Sequence, residues 1–255
     1  MMRLLCLPAF LLAIWCGPSL AAEEVRVGGY LFPPYVELVD GNPNGLTLDV
    51  LAAVNAAQDR YRLSFVPIAA ATRQADLAAG KYHMILFESP AWGWDAARIA
   101  VSPPLLQGAE IFVALAQPGR GQGYFRSLKA KRIAAMRGYH YRFAEMITDP
   151  AILKRRFGVE LVEDPGDALQ AILDEQADIA LMTDSYLRRL LHDVPEFADI
   201  LLVGDTPDQR YDLSALTAAN RRSLMEAIAP LLRDVLDAPD FQPILQSYGF
   251  APSRR

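Results

Sequence analysis

VRVGGYLFPPY (residues 25–35) and KYHMILF (residues 81–87) bracket the part of this chain whose reading decides the fold. Val25-Arg26-Val27 is a short strand that runs into Gly28-Gly29. Pro33 and Pro34 lack the N–H groups a ladder needs, so the chain leaves the sheet there. After a turn-rich loop at residues 41–45, Leu48, Leu51, Ala52 and Ala56 recur at helical spacing with Val50 and Val54 beside them, predicting a helix over residues 46–58. Tyr61, Leu63 and Phe65 alternate as a strand that Pro67 ends. Thr72 can cap a helix that Gly80 closes, and His83-Met84-Ile85-Leu86-Phe87 reads as a buried strand. Strand, helix, strand, helix, strand is the signature of a mostly parallel sheet covered by helices.

Working outward, the pattern repeats. Residues 111–116 and 132–136 are strands separated by a segment rich in Gly and Pro, and Arg137-Gly138-Tyr139-His140 follows before a helix. Asp164-Pro165 opens a helix as an N-cap with proline in the first turn. Residues 178–182 are a strand, with Thr183 or Asp184 capping the next helix. A strand at 200–203 and, after residues 211–216, helices at 221–236 and 241–248 finish the chain. Two successive α/β units usually place a ligand site between them.

Before residue 25 the reading is different. Arg3 precedes an apolar run over residues 4–15, Gly17-Pro18 breaks it, and Ser19-Leu20-Ala21 offers small residues at the two positions a signal peptidase reads. Residues 1–21 are therefore expected to be a signal peptide cleaved near Ala21, too short for a membrane span. Cys6 and Cys16 both lie in it, so the mature chain would carry no disulfide and no thiol chemistry. Losing Arg3 and no acid leaves 24 Lys and Arg against 30 Asp and Glu, a formal charge of −6. That weighs against nucleic acid, which needs clustered cations. His83, His140 and His192 have no metal-ligand spacing, and no phosphate loop, dinucleotide fingerprint or nucleophile elbow occurs. No catalytic residue, metal or cofactor is assigned. A soluble, monomeric, exported protein, localised to the periplasm and holding a small-molecule ligand, is the expectation.

Seven short motifs in order resemble the bacterial family 3 extracellular solute-binding proteins, across nearly all of the mature chain. They are residues 25–35; Gly45-Leu46-Thr47-Leu48-Asp49-Val50; Leu77-Ala78-Ala79-Gly80 with His83 where the family has Asp; Val101-Ser102-Pro103-Pro104; residues 128–138; Asp178-Ile179-Ala180-Leu181-Met182-Thr183; and the two closing helices. The resemblance implies a two-lobed α/β periplasmic-binding-protein fold, each lobe a mostly parallel sheet covered by helices. Lobe 1 would be residues 22–113 and 207–255 and lobe 2 residues 114–206, joined by two hinge strands that close on ligand.

Carried over position by position, the family pattern puts Phe32 against the ligand, with Tyr30 and Tyr35 on the same loop. It gives backbone N–H groups at Gly138, Tyr139 and His140 to a ligand carboxylate at a helix N-terminus. The family's clamping arginine falls on Asp95, its loop threonine on Pro90 and the glycine before it on Glu88. The amine-binding aspartate falls on Thr183, one step from Asp184. Trp92 and Trp94 stand in the altered loop, either as a ligand platform or as lobe packing. Arg98 would either replace the lost clamp or form a surface salt bridge. A cleft with Glu88, Asp95 and two tryptophans suits a cationic or flat aromatic solute rather than an α-amino acid held in the family's way. The role implied is capture of a solute for an ABC permease. The other readings are a periplasmic sensor domain reporting to a membrane receptor, and a secreted enzyme like cyclohexadienyl dehydratase with Glu88 as its acid.

Overall fold

A computed structural model describes residues 21–250; the signal-peptide reading of residues 1–21 lies almost wholly outside the described residues. β1 (Glu23–Gly29) lies parallel between β4 (Tyr61–Pro67) and β5 (Met84–Glu88), in register Val27 to Phe65 on one side and Val27 to Met84 on the other. Between β1 and β4 come a small hairpin, β2 (Glu37–Val39) and β3 (Asn42–Asn44), and the helix α1 (Leu46–Ala57). α2 (Arg73–Ala78) leads into β5, and β6 (Ile99–Val101) into the long β7 (Leu106–Leu115). The second half runs β8 (Ile133–Met136), α3 (Pro150–Phe157), β9 (Val159–Val162), α4 (Pro165–Leu173), β10 (Ile179–Thr183), α5 (Asp184–Asp193), α6 (Phe197–Ile200) and β11 (Leu201–Val203). It returns through β12 (Gln209–Ala218) to α7 (Arg222–Asp237) and α8 (Gln242–Ser247).

One curled sheet runs β4-β1-β5-β12-β7-β10-β8-β9, with β6 added on β12 and β11 on β7. Its two ends are parallel, as the order of strands and helices predicts, and only the middle strands β7 and β12 run antiparallel to their neighbours. The buried side chains divide accordingly. One core gathers residues from Val25 to Leu105 and from Tyr211 to Phe250. Two further clusters, drawn from Phe112 to Leu181 and from Val113 to Leu201, sit about the second half. β7 and β12 cross from one half to the other, paired from Gln209 opposite Glu110 to Leu213 opposite Leu106. At Gly108, directly opposite Tyr211, an added Cβ would lie 2.5 Å from the Tyr211 ring, so the crossing depends on glycine there.

Two local expectations change. α1 buries Leu46, Val50, Leu51 and Val54 and turns Ala52 and Ala56 to solvent. Burying a Val or Leu is worth about 1.5–3 kcal/mol, an alanine methyl far less, so the larger side chains choose the face. No helix starts at Gly138-Tyr139-His140. Gly138 takes φ +80, residues 142–146 are turns, and the next helix is α3, capped by Asp149 through the N–H of Ile152 at 2.8 Å. The Arg142 and Phe143 amides donate to the Asp208 carboxylate at 2.7 and 2.8 Å. A helix-dipole site for a ligand carboxylate is therefore absent from this loop.

Candidate functional site

The two halves meet over a cluster of aromatic rings. Phe32, on the loop after β1, is 4% exposed and stacks on Tyr35 at 4.7 Å. It meets Trp92 and Tyr139 edge-on at 5.7 and 5.3 Å. Trp92 in turn packs on Tyr211 of β12 at 4.9 Å. Tyr139 crosses between the halves, its hydroxyl donating to the Leu31 carbonyl at 2.9 Å. Thr183 does the same from the end of β10, donating to the Pro33 carbonyl at 3.1 Å. Arg189 of α5 pairs with Glu37 of β2 at 2.5 Å, both mostly buried, and closes the rim. Tyr30, Phe32, Arg73, Trp92, Glu110, Gly138, Tyr139 and His140 enclose a cavity of about 10 Å³, the space of a single water. An open groove of about 650 Å³ lies on the hinge side, and Trp92 lines both spaces.

Beneath this cavity is a buried ion pair. The pairing of β5 with β12 slips between Ser214 and Leu216, giving β5 one extra residue, and Phe87 sits at φ 55. Such a bulge re-aims the side chain that follows it, here Glu88, which is fully buried. Arg73 Nε donates to Glu88 Oε1 at 2.9 Å, Trp94 Nε1 to the same oxygen at 3.0 Å, and the Tyr30 hydroxyl to Oε2 at 2.9 Å. Burial pushes the Glu88 carboxyl up from the usual range, and the Arg73 charge and these donors pull it back. Arg73, 4% exposed, also donates to the Ala70 and Trp92 carbonyls at 2.5 and 3.3 Å and reaches His140 Nδ1 at 3.4 Å. Burial, with Arg73 adding to it, pushes the His140 imidazole down to about 4, so the ring is neutral at pH 7.

Glu110 is the second buried acid. It lies on β7, is 3% exposed and lines the cavity. It accepts from the Tyr211 hydroxyl at 3.0 Å, and no cationic side chain reaches it within 4 Å among the described residues. Burial above all pushes its carboxyl up to about 8; the Tyr211 hydroxyl relieves this a little, and Asp208 and Asp184 reinforce it.

Phe32, Trp92, Tyr139 and His140 thus come together around one cavity. Tyr35 backs Phe32 from the core, against Phe87 and Phe250. Glu88 sits behind Arg73 and is not on the cavity wall. Trp94 is half-buried and supports Glu88. Thr183 ties the halves together, while Asp184 holds the Ala109 N–H at 3.2 Å and Arg188 at 2.9 Å. Asp95 and Arg98 stand apart from all of these. They pair with one another at 3.1 Å, 58% and 80% exposed, on the outside of the loop. Placing the lost clamp there fails because the loop after Glu88 folds its tryptophans inward and its charged residues outward. Arg98→Ala is therefore expected to leave the melting temperature within about 3 °C and the solute affinity within about twofold of the parent, by thermal shift and calorimetry. A tenfold loss of affinity would return Arg98 to the cleft.

Arg73, Glu110 and Tyr211 are the residues in or beside the cavity and ion pair that the sequence reading did not single out, whereas Tyr30 stood on the loop it named. A signal existed for two of them. Arg73 is a lone cation four residues before Leu77, on the inward face of α2. Glu110 lies inside a run of ten strand residues, where an acid is the informative exception.

No family model matches this sequence, and no curated protein matches it. Among solved structures the likeness is one of fold. The GluR0 ligand-binding core in complex with L-glutamate superposes with a TM-score of 0.69 at 17% identity, covering 90% of this chain and all (100%) of that one. A substrate-binding protein of an ABC uptake transporter from Streptococcus pneumoniae, with bound histidine, gives a TM-score of 0.69 at 17% identity over 88% and 92%. The ancestral amino-acid-binding protein AncCDT-1, a precursor of cyclohexadienyl dehydratase, gives 0.64 at 14% over 89% and 96%. The chain has the two-lobed periplasmic-binding-protein fold.

Proposed function

We propose that this protein is an exported periplasmic solute-binding protein that closes its two lobes over a small polar molecule and delivers it to an ABC permease. Lobe 1 is residues 22–113 and 207–255, and lobe 2 residues 114–206. The observation that carries the reading is the small cavity between the lobes, walled by aromatic rings and by Arg73 and Glu110, beside which hydrogen bonds join the halves. With about 10 Å³ inside, a solute the size of an amino acid enters only if the lobes separate. Parting β7 and β12 as hinges achieves that without disturbing either core. The likeness of fold to proteins that hold histidine and glutamate supports the same reading. An enzymatic role through Glu88 has less support, because Tyr30, Arg73 and Trp94 occupy its oxygens and it does not reach the cavity.

Small-angle scattering tests the closure. A compact chain of this size has a radius of gyration of about 17 Å. The free protein should be larger and should contract towards that value when saturated with a pool of amino acids and polyamines. An unchanged radius at saturation removes the mechanism. Neighbouring permease and ATPase genes would favour transport; a kinase or cyclase gene would favour a sensor of a membrane receptor.

A further inference from the structure

We propose that Glu110 is the group that recognises the solute, and that the solute carries a positively charged nitrogen, an ammonium or guanidinium, seated on this carboxylate. The inference rests on the solute-binding reading and specifies the chemistry of that site.

The acid is where a ligand would be held. Glu110 lies on a strand that joins the lobes, lines the enclosed cavity and is nine-tenths buried or more. Buried carboxylates ordinarily have a cation or several donors, because an uncompensated one is costly. Glu88 has both. Glu110 has the Tyr211 hydroxyl alone among the described residues. The charges around it agree. Asp184 on α5 and Asp208 before β12 are the nearest charged groups, both acidic. Asp184 is held by Arg188 and the Ala109 amide, and Asp208 by the Arg142 and Phe143 amides. Tyr211, Tyr139 and Tyr141 face the same region as neutral phenols, burial pushing each of them well up. Across the cavity the charge of Arg73 is matched by Glu88, and His140 is neutral. An anionic solute would find no unmatched cation to pair with; a cation would take the place of the proton on Glu110 and pair with its carboxylate.

The walls point the same way. Tyr30, Phe32, Trp92 and Tyr139 offer ring faces and edges around a space with room for about one water, and such low-dielectric surroundings favour a cation and strengthen its attraction to the carboxylate. The Trp92 Nε1–H is buried without an acceptor among the described residues. It is a donor for an oxygen carried by the same solute.

Calorimetry with purified protein tests this. The nitrogen-bearing probes are L-arginine, L-lysine, L-histidine, putrescine, agmatine and phenethylamine. The nitrogen-free controls are succinate and 3-phenylpropionate. At least one cationic probe should bind, and Glu110→Gln should weaken it a hundredfold or more while the variant melts no lower than the parent. A second readout needs no variant. With the free acid titrating near 8, binding a cation at pH 7 should release about 0.9 proton per solute, seen as a dependence of the heat on buffer ionisation. Binding of a nitrogen-free anion with lobe closure, retained affinity in Glu110→Gln, or no proton release overturns the inference and leaves the solute-binding reading standing. No binding by any probe, with an unchanged scattering radius, overturns both.

Discussion

Arg73→Met should lower the stability of the protein by about 3–5 kcal/mol, the cost of leaving a buried charge without its partner. Arg73 is 4% exposed and Glu88 fully buried, and the guanidinium is the only cation on that carboxylate among the described residues. For a chain of this size each kcal/mol moves the melting temperature by about 2–4 °C, so the fall should be on the order of 10 °C. The double variant Arg73→Met/Glu88→Gln should recover most of it, since replacing a buried pair together is often near neutral. In that variant the amide oxygen in the Oε1 position accepts from Trp94 Nε1, and the NH2 in the Oε2 position donates to the Tyr30 hydroxyl. Scanning calorimetry and urea denaturation on the three proteins decide the matter. A loss below about 1 kcal/mol in the single variant would mean that water reaches the pair in solution and that the cleft stands open there.

The second large effect is one of pH. Glu110 has a folded-state value near 8 against an ordinary 4.5, so its contribution is fully present below the ordinary value and is lost as pH rises through 8. At 1.36 kcal/mol per unit, the stability of the free protein should fall by about 2 kcal/mol between pH 6.5 and 8.5. Burial acts in the same direction on Glu88 and Asp208. His140 has the opposite sign. Held down near 4 against an ordinary 6.5, it contributes stability above its ordinary value that is lost as pH falls. Between pH 4.5 and 6.5 the two contributions nearly cancel, so the free protein should be most stable at about pH 5.5, and Glu110→Gln should flatten the alkaline limb and uncover the acid limb of His140. Urea midpoints across pH 5 to 9 measure both limbs. An alkaline limb unchanged in Glu110→Gln would show that the carboxyl is solvated when the solute is absent. A bound cation should also suppress that limb, which separates the empty from the occupied protein.

The difference between what was legible and what was not shows in particular residues. Asp164-Pro165 opens α4 as read, the Asp164 carboxylate accepting from the Asp167 N–H at 3.0 Å, because the cap and its target are three residues apart. The strands around Val27, Leu63 and Ile85 form where alternation and apolar runs place them, because a strand's own side chains carry the signal. The expected helix after Gly138 does not form: residues 142–146 are turns, Glu145 and Met146 take φ 58 and 60, which no helix continues through, and the Arg142 and Phe143 amides donate to Asp208 instead. Phe32 was legible through the family pattern, and Trp92 because a large aromatic ring in a loop packs against something flat. What they pack against was not. Position-by-position alignment through the loop at residues 88–98 put Asp95 in the cleft, yet the β5 bulge and the inward turn of two tryptophans leave it outside, and of the two readings open for Arg98 the surface salt bridge is the one that forms.

Local composition and periodicity determined the class of fold: an α/β chain of two successive units, mildly acidic, with no metal-ligand spacing or nucleotide motif; the two lobes closing on a ligand were implied by the resemblance of its motifs. Only the tertiary structure decided which residues make the site. Arg73 meets Glu88 across 15 residues, and Glu110 meets Tyr211 across 101, through the register of β7 on β12. In a sheet, side chains alternate between faces, so a single slip or bulge transfers a residue from one face to the other. That register is set by the packing of strands distant in the chain, and no local window contains it.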